Sequence, residues 1–209
     1  SEIEIVIVDD GSEDGTDTAA WDAGADQVIV QPRNRGKGAA VRTGMVAARG
    51  AIRVFTDVDL AYPPEQVSRV AAAVSDDVAI AVGSRHHADT ITLVRARRIR
   101  ELSGTIFNAV TRILVLDQPR DTQCGLKAFR ADAADAVFSR SRVDGFAFDV
   151  ELFVIAQRLG ISVVDVPVEV LNSDASTVSI GSDALRMVAD LLRIRARDRR
   201  GDYKQPVTT

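Results

Sequence analysis

Apolar residues fall in short blocks separated by polar turns and amphipathic stretches, the rhythm of an α/β chain. The block "IEIVIV" (3–8) predicts a buried strand that ends at Asp9-Asp10-Gly11, and a helix follows from about Thr16 to Ala23, with Gly24 as its C-cap. "DQVIVQ" (26–31) predicts the next strand, Lys37 to Arg49 a helix closed by Gly50, and "AIRVFT" (51–56) a third strand. A helix from Pro64 to Val74 has proline in its first turn, where the missing N–H costs nothing. "VAIAVG" (78–83) is a further strand, and a long helix is expected from about Leu93 to Leu116. Beyond it come the loop "DQPRDTQCG", a short segment 126–130, helices at 131–139 and 147–159, a strand "ISVVDVPVEVL" (161–171) and a last helix over about 182–199. No repeat, low-complexity tract or linker divides the chain, so residues 1–209 are expected to form one domain.

Composition narrows the function classes. At 209 residues, with 46% hydrophobic and 27% charged residues, the chain can bury a core and is not of disordered type. No apolar run approaches the ~20 residues of a membrane span. The single cysteine, Cys124, excludes an internal disulfide and suits a reducing, cytoplasmic setting. It reads as a packed small residue, and Trp21 as a core residue. A formal charge of −4 speaks against a nucleic-acid partner. Local asymmetry remains: "RARRIR" (95–100) carries four arginines, and the last helix carries six more. That helix, over 185–200, is either an ordinary core helix or a basic amphipathic one lying on an anionic membrane surface.

Candidate chemistry gathers where strands end. In open α/β sheets ligands collect outside the carboxyl ends of the strands. Three strands here end in Asp9-Asp10, Asp57-x-Asp59 and Gly83-Ser84-Arg85. Two carboxylates one residue apart destabilise each other's ionised form unless a positive charge sits between them. Residues i and i+2 of an extended segment share a face, so Asp57 and Asp59 can hold one Mg²⁺ or Mn²⁺ ion; the alternative is a solvated turn or a cap for the following helix. Asp9 and Asp10 can accept hydrogen bonds from a base or ribose, or else cap a helix entry. "RNRGKGAAVRTG" (33–44) places Arg35 and Lys37 at a helix start whose free N–H groups favour an anion. Adjacent His86 and His87 lack zinc-site spacing and read as loop residues.

With "VIVDDGSEDGT", "NRGKGAAVRTGM", "DVDLAYPPE", "VGSR", "RDTQCGLKAF" and "FAFDVEL" in this order, the sequence resembles glycosyltransferase family 2, in the branch acting on dolichyl or polyprenyl phosphate. The "DTQCG-K-F" and "AFDVEL" pieces are closer to the glucose than to the mannose enzymes. The resemblance implies a GT-A fold, a Rossmann-like three-layer sandwich on a mostly parallel sheet. It also implies an inverting, metal-dependent transfer from a nucleoside-diphosphate sugar, UDP-glucose before GDP-mannose, to a lipid phosphate at the cytoplasmic membrane face. It places Asp57 and Asp59 at the metal. Asp9, Asp10, Arg35, Lys37, Thr122 and Gln123 fall near the nucleotide sugar, Asp121 beside it, and Arg85, Arg98 and Arg100 at the acceptor phosphate. Ala61 stands where some mannose enzymes carry a metal-contacting Gln. Were the acceptor a hydroxyl, Asp149 or Asp121 would have to serve as base. The family opens with a strand bearing "P-x-Y-N-E", whereas this sequence starts on the "DDGS" strand; the expectation is a sheet with one position unfilled. An edge left there would favour self-association, and a non-catalytic relic or partner subunit is the third reading.

Overall fold

The computed structural model describes residues 3–59, 61–85, 90–92, 121–170 and 182–204. The expected helix at 93–116 and the residues His86, His87, Arg98 and Arg100 lie outside them. The elements are β1 (Val6–Asp9), α1 (Thr16–Asp22), β2 (Gln27–Val30), α2 (Lys37–Ala47), β3 (Ile52–Phe55), α3 (Pro64–Ala72) and β4 (Ile80–Ser84). Then follow β5 (Ile91–Thr92), β6 (Lys127–Arg130), α4 (Ala131–Phe138), α5 (Phe148–Leu159), β7 (Val163–Pro167), β8 (Glu169–Val170) and α6 (Ser182–Arg200).

Four strands form the central sheet in the order β3-β6-β4-β7. Three of them run one way, while β6 is antiparallel to both of its neighbours, with Lys127 opposite both Phe55 and Val82. The short segment 126–130 is thus the strand that joins the two halves of the sheet. Period-two alternation sends Ile80, Val82 and Phe129 to one face, with α4 and α5, and Ala81 and Ala128 to the other, with Val70 of α3. The result is three layers. On the first face Phe55 stacks on Phe129 at 6.2 Å between ring centres and tilts on Phe148 at 6.0 Å, and Phe129 meets Phe138 edge-on at 5.3 Å.

β1 pairs in parallel with β2 in a separate two-stranded sheet, and α2 packs on both β1 and β3. Among the described residues β1 has no ladder partner but β2, and β3 none but β6. Ahead of β1, Ile3 and Ile5 are exposed.

Three expectations need correction. The 161–171 strand is two: β7 ladders with β4 as far as Pro167, whose ring nitrogen cannot donate onward, and β8 then pairs with β5. Helix α2 stops at Ala47, before Gly50, because Ala48 turns extended; Glu4 then accepts from Arg49 N at 2.8 Å and Arg49 Nε at 2.8 Å. Trp21 is exposed, since α1 covers only the small β1–β2 sheet and buries none of its residues. In α6 the apolar positions divide: Leu191 and Ile194 enter the core while Leu185, Val188 and Leu192 face out. The docked face is set by buried Glu151, which accepts from Tyr203 OH at 2.8 Å and from Arg142 N and Val143 N at 2.7 Å each. Among the described residues no helix is long and apolar enough to cross a membrane.

Candidate active site

The carboxyl ends of β1, β3 and β4 lie along one edge of the fold, and a continuous series of contacts links them. At the end of β1, Asp9 is buried and its Oδ1 accepts from Ser12 N at 2.8 Å, closing the turn. Asp10 reaches across to the next loop, accepting from Arg35 N at 2.9 Å and Gly36 N at 2.7 Å. Lys37, the first residue of α2, spans from that loop to the end of β3. Its Nζ lies 2.8 Å from Asp57 Oδ1 and 2.9 Å from Oδ2. Burial opposes the lysine's charge, but Asp149, Asp57 and Asp59 around it prevail and hold its pKa above the ordinary value. Asp59 is exposed, and its Oδ1 accepts from Ala61 N at 3.1 Å.

Behind Asp57 stands Gly125. A Cβ on Gly125 would lie 2.1 Å from Asp57 Oδ2, so only glycine lets the 121–125 loop close on the acid. Gly125→Ala is therefore expected to push the Asp57 carboxylate aside and weaken Mn²⁺ binding by about 10–100-fold. Calorimetric titration checks this, with circular dichroism to show that the fold is kept; wild-type affinity would refute it. At the other end of the loop Asp121 is buried and clasps Arg85. It accepts from Arg85 N at 2.9 Å, Nε at 2.7 Å and Nη2 at 2.6 Å. Burial disfavours the guanidinium's charge, yet the Asp121 fork outweighs it and raises the pKa of Arg85. The arginine side chain remains 38% exposed, so its outer side is open to a ligand. Between these anchors, Thr122 Oγ1 and Gln123 Nε2 are buried and have no hydrogen-bond partner among the described residues.

The expected anion site at the start of α2 takes a different form. Gly38 N and Ala39 N donate to the Asp144 carbonyl at 2.7 and 3.3 Å, and the preceding N–H groups are held by Asp10. A Cβ on Gly36, where φ is +105°, would meet that carbonyl at 2.7 Å; one on Gly38 would meet Val143 O at 2.5 Å and Phe148 Cβ at 2.6 Å. These glycines serve the approach of the 143–148 segment, and the chain itself satisfies the N–H groups of Arg35, Gly36, Gly38 and Ala39. The Asp144 carboxylate bonds Arg42 and lies 3.5 Å from Arg35.

Sequence reasoning missed Lys127. It lies on the central strand, 1% exposed, and its Nζ donates to Cys124 O and to Asp149 Oδ1 at 2.6 Å each. Burial drives the Asp149 carboxyl upward, against the pull of Lys127 and Lys37. A lysine inside the apolar run "GLKAF" was the available signal. Cys124 is buried, and burial pushes its thiol up, which makes it a packing residue.

The donor set at Asp57 and Asp59 fits a hard dication. Among the described residues no group of three or more His, Cys, Asp and Glu converges as a closed metal cage. Mg²⁺ and Mn²⁺ sites of the nucleotide-binding kind need only one or two carboxylates, with phosphates and water completing the shell. Lys37 already supplies positive charge to both oxygens of Asp57.

Residues 1–138 match the model of "Glycosyl transferase family 2". The chain is 36% identical over 213 residues to dolichyl-phosphate beta-glucosyltransferase of Mus musculus and 34% over 213 residues to that of Homo sapiens. It is 32% identical over 222 residues to the Saccharomyces cerevisiae enzyme of the same name. Each alignment covers 96% of this chain but 66% of the relative, just short of two thirds of its length. Among solved structures, glucosyl-3-phosphoglycerate synthase from Mycobacterium tuberculosis, in complex with Mn²⁺, uridine diphosphate and glucosyl-3-phosphoglycerate, superposes with a TM-score of 0.66. Identity there is 21%, covering 92% of this chain and 69% of that one. Mannosyl-3-phosphoglycerate synthase from Rubrobacter xylanophilus gives a TM-score of 0.63 at 21% identity, covering 99% of this chain and 67% of that one. The fold is thus GT-A, and the chain belongs to glycosyltransferase family 2.

Proposed function

We propose that the chain carries out an inverting sugar transfer from a nucleoside-diphosphate sugar, UDP-glucose before GDP-mannose, to polyprenyl phosphate. One observation carries this over a hydroxyl acceptor. Asp121 and Asp149, the carboxylates that would serve as base, are both buried and committed to cations, Arg85 and Lys127. A hydroxyl acceptor needs a base within reach of its proton. A phosphate monoester is largely ionised at neutral pH and needs none. The names of the relatives, dolichyl-phosphate beta-glucosyltransferases, support the same acceptor and sugar.

In this reading Asp57 and Asp59 hold Mg²⁺ or Mn²⁺, which when bound neutralises charge gathering on the departing diphosphate. Lys37 adds a second positive charge beside Asp57. Asp9 and Asp10 keep lone pairs for the nucleotide beyond their bonds to Ser12, Arg35 and Gly36. Arg35 remains close enough to add charge there. Thr122 and Gln123, whose Oγ1 and Nε2 have no hydrogen-bond partner among the described residues, are the candidates to meet the sugar hydroxyls. Arg85, held in place by Asp121, presents its guanidinium to the acceptor phosphate, and Arg98 and Arg100, outside the described residues, are further candidates. A phosphate oxygen attacks the anomeric carbon. The new carbon–oxygen bond forms as the bond to the diphosphate breaks, with inversion and no covalent enzyme intermediate. The exposed Leu185, Val188 and Leu192 of α6, among its arginines, support peripheral contact with an anionic bilayer at the cytoplasmic face.

The test presents polyprenyl phosphate in anionic vesicles with Mn²⁺ and either labelled UDP-glucose or labelled GDP-mannose. Lipid labelled from UDP-glucose, with protein pelleting alongside the vesicles at low salt, is the expected result. Label from GDP-mannose alone would overturn the donor. Unlabelled lipid with both would overturn the transfer, and protein left in the supernatant would overturn the membrane contact.

A further inference from the structure

We infer that Lys127 and Asp149 are positioning residues that fix Asp57 from behind, through the Cys124–Gly125 peptide: Lys127 bonds its carbonyl side and Asp149 holds Lys127. The inference rests on the reading of Asp57 and Asp59 as the metal acids. Lys127 occupies a site on β6 between Phe55 and Val82 that an apolar side chain would fill at lower desolvation cost. Its ammonium lies 5.2 Å from the ring centre of Phe55 and 5.9 Å from that of Phe153, well inside the core. Its two hydrogen bonds tie the loop that backs Asp57 to α5. One goes to the carbonyl of Cys124, whose neighbour Gly125 lies directly against the Asp57 carboxylate. The other goes to Asp149, on the first turn of α5. Asp149 thereby holds the Lys127 ammonium beneath the Cys124 carbonyl, and α5 is tied to the loop that backs Asp57.

Partners that orient a metal-binding carboxylate leave a mark on metal affinity that a purely structural pair does not. Either single substitution strands a buried charge and risks the fold, so the decisive variant is the double one, Lys127→Met with Asp149→Leu, which removes both charges together. Mn²⁺ binding to the whole chain is measured by electron paramagnetic resonance with uridine diphosphate and without acceptor, alongside thermal unfolding and the transfer assay. The expected result is an unfolding temperature at or above that of wild type, with the Mn²⁺ dissociation constant raised about tenfold and kcat lowered. A double variant with wild-type Mn²⁺ affinity and kcat would overturn the positioning role while leaving the metal assignment intact. Wild-type protein that is folded yet binds no Mn²⁺ would overturn the metal assignment, and this inference with it. A double variant that does not fold is replaced by Asp149→Asn, which keeps a hydrogen-bond acceptor for Lys127. Weakened Mn²⁺ binding in that folded variant supports the role, and wild-type binding overturns it.

Discussion

Asp59→Ala is expected to abolish transfer of labelled glucose to polyprenyl phosphate while leaving the fold intact. The loss of a metal's charge stabilisation is worth several kcal/mol, a fall in turnover of roughly 10³-fold or more. Stability is expected to change by less than ~1 kcal/mol, because Asp59 is exposed and its one bond, from Ala61 N, is local. That separation makes Asp59 a cleaner probe than Asp57, whose removal would also release Lys37. Turnover and the thermal unfolding curve are read on the same preparation. Unchanged turnover in a folded variant would discard the metal role of the acidic pair.

The largest stability effect is expected at the buried ion pair. Asp149→Leu or Lys127→Met alone leaves one charge in the core without its partner, at a cost of about 3–5 kcal/mol. For a chain of this length that lowers the unfolding temperature by roughly 6–20 °C. The pH dependence has a definite sign in Lys127→Met. Burial already raises the Asp149 carboxyl in the native protein, and losing Lys127 removes the main pull against it. A group whose folded pKa lies above its unfolded one adds stability at low pH and loses it as pH rises through the folded value. The deficit of Lys127→Met against wild type should therefore shrink as pH falls from 7 towards 4. A deficit that stays constant, measured by thermal unfolding across that range, would show that the carboxyl is not the stranded charge.

The strand and helix order was readable wherever local pattern decides it. β1, α2, β3, α3 and β4 fall within a few residues of their expected places, because a run of apolar residues ending in a polar turn leaves little choice of period. The site residues at the strand ends were equally legible: Asp57, Asp59 and Arg85 stand where a strand-by-strand reading puts them. Pairing was not. Nothing local in "LKAF" shows that it runs antiparallel between β3 and β4, and only that placement carries Lys127 under the site. The free N–H groups at the "RGKG" helix start suggested an anion site, with glycines and cations placed there. The glycines' actual use, letting Asp144, Val143 and Phe148 approach α2, depends on a segment more than a hundred residues away.

By itself the sequence determined the α/β alternation, the acidic pair and the family, since each depends on residue types at short and regular spacing. The tertiary structure alone decided which cation each candidate carboxylate meets. Asp121 and Asp149 look alike on paper as candidate bases, and each is paired with a cation brought in from another strand, Arg85 at the end of β4 and Lys127 on β6. Whether a buried acid serves as base or as anchor depends on its partner, and that partner is set by long-range packing rather than by the neighbours in its own motif.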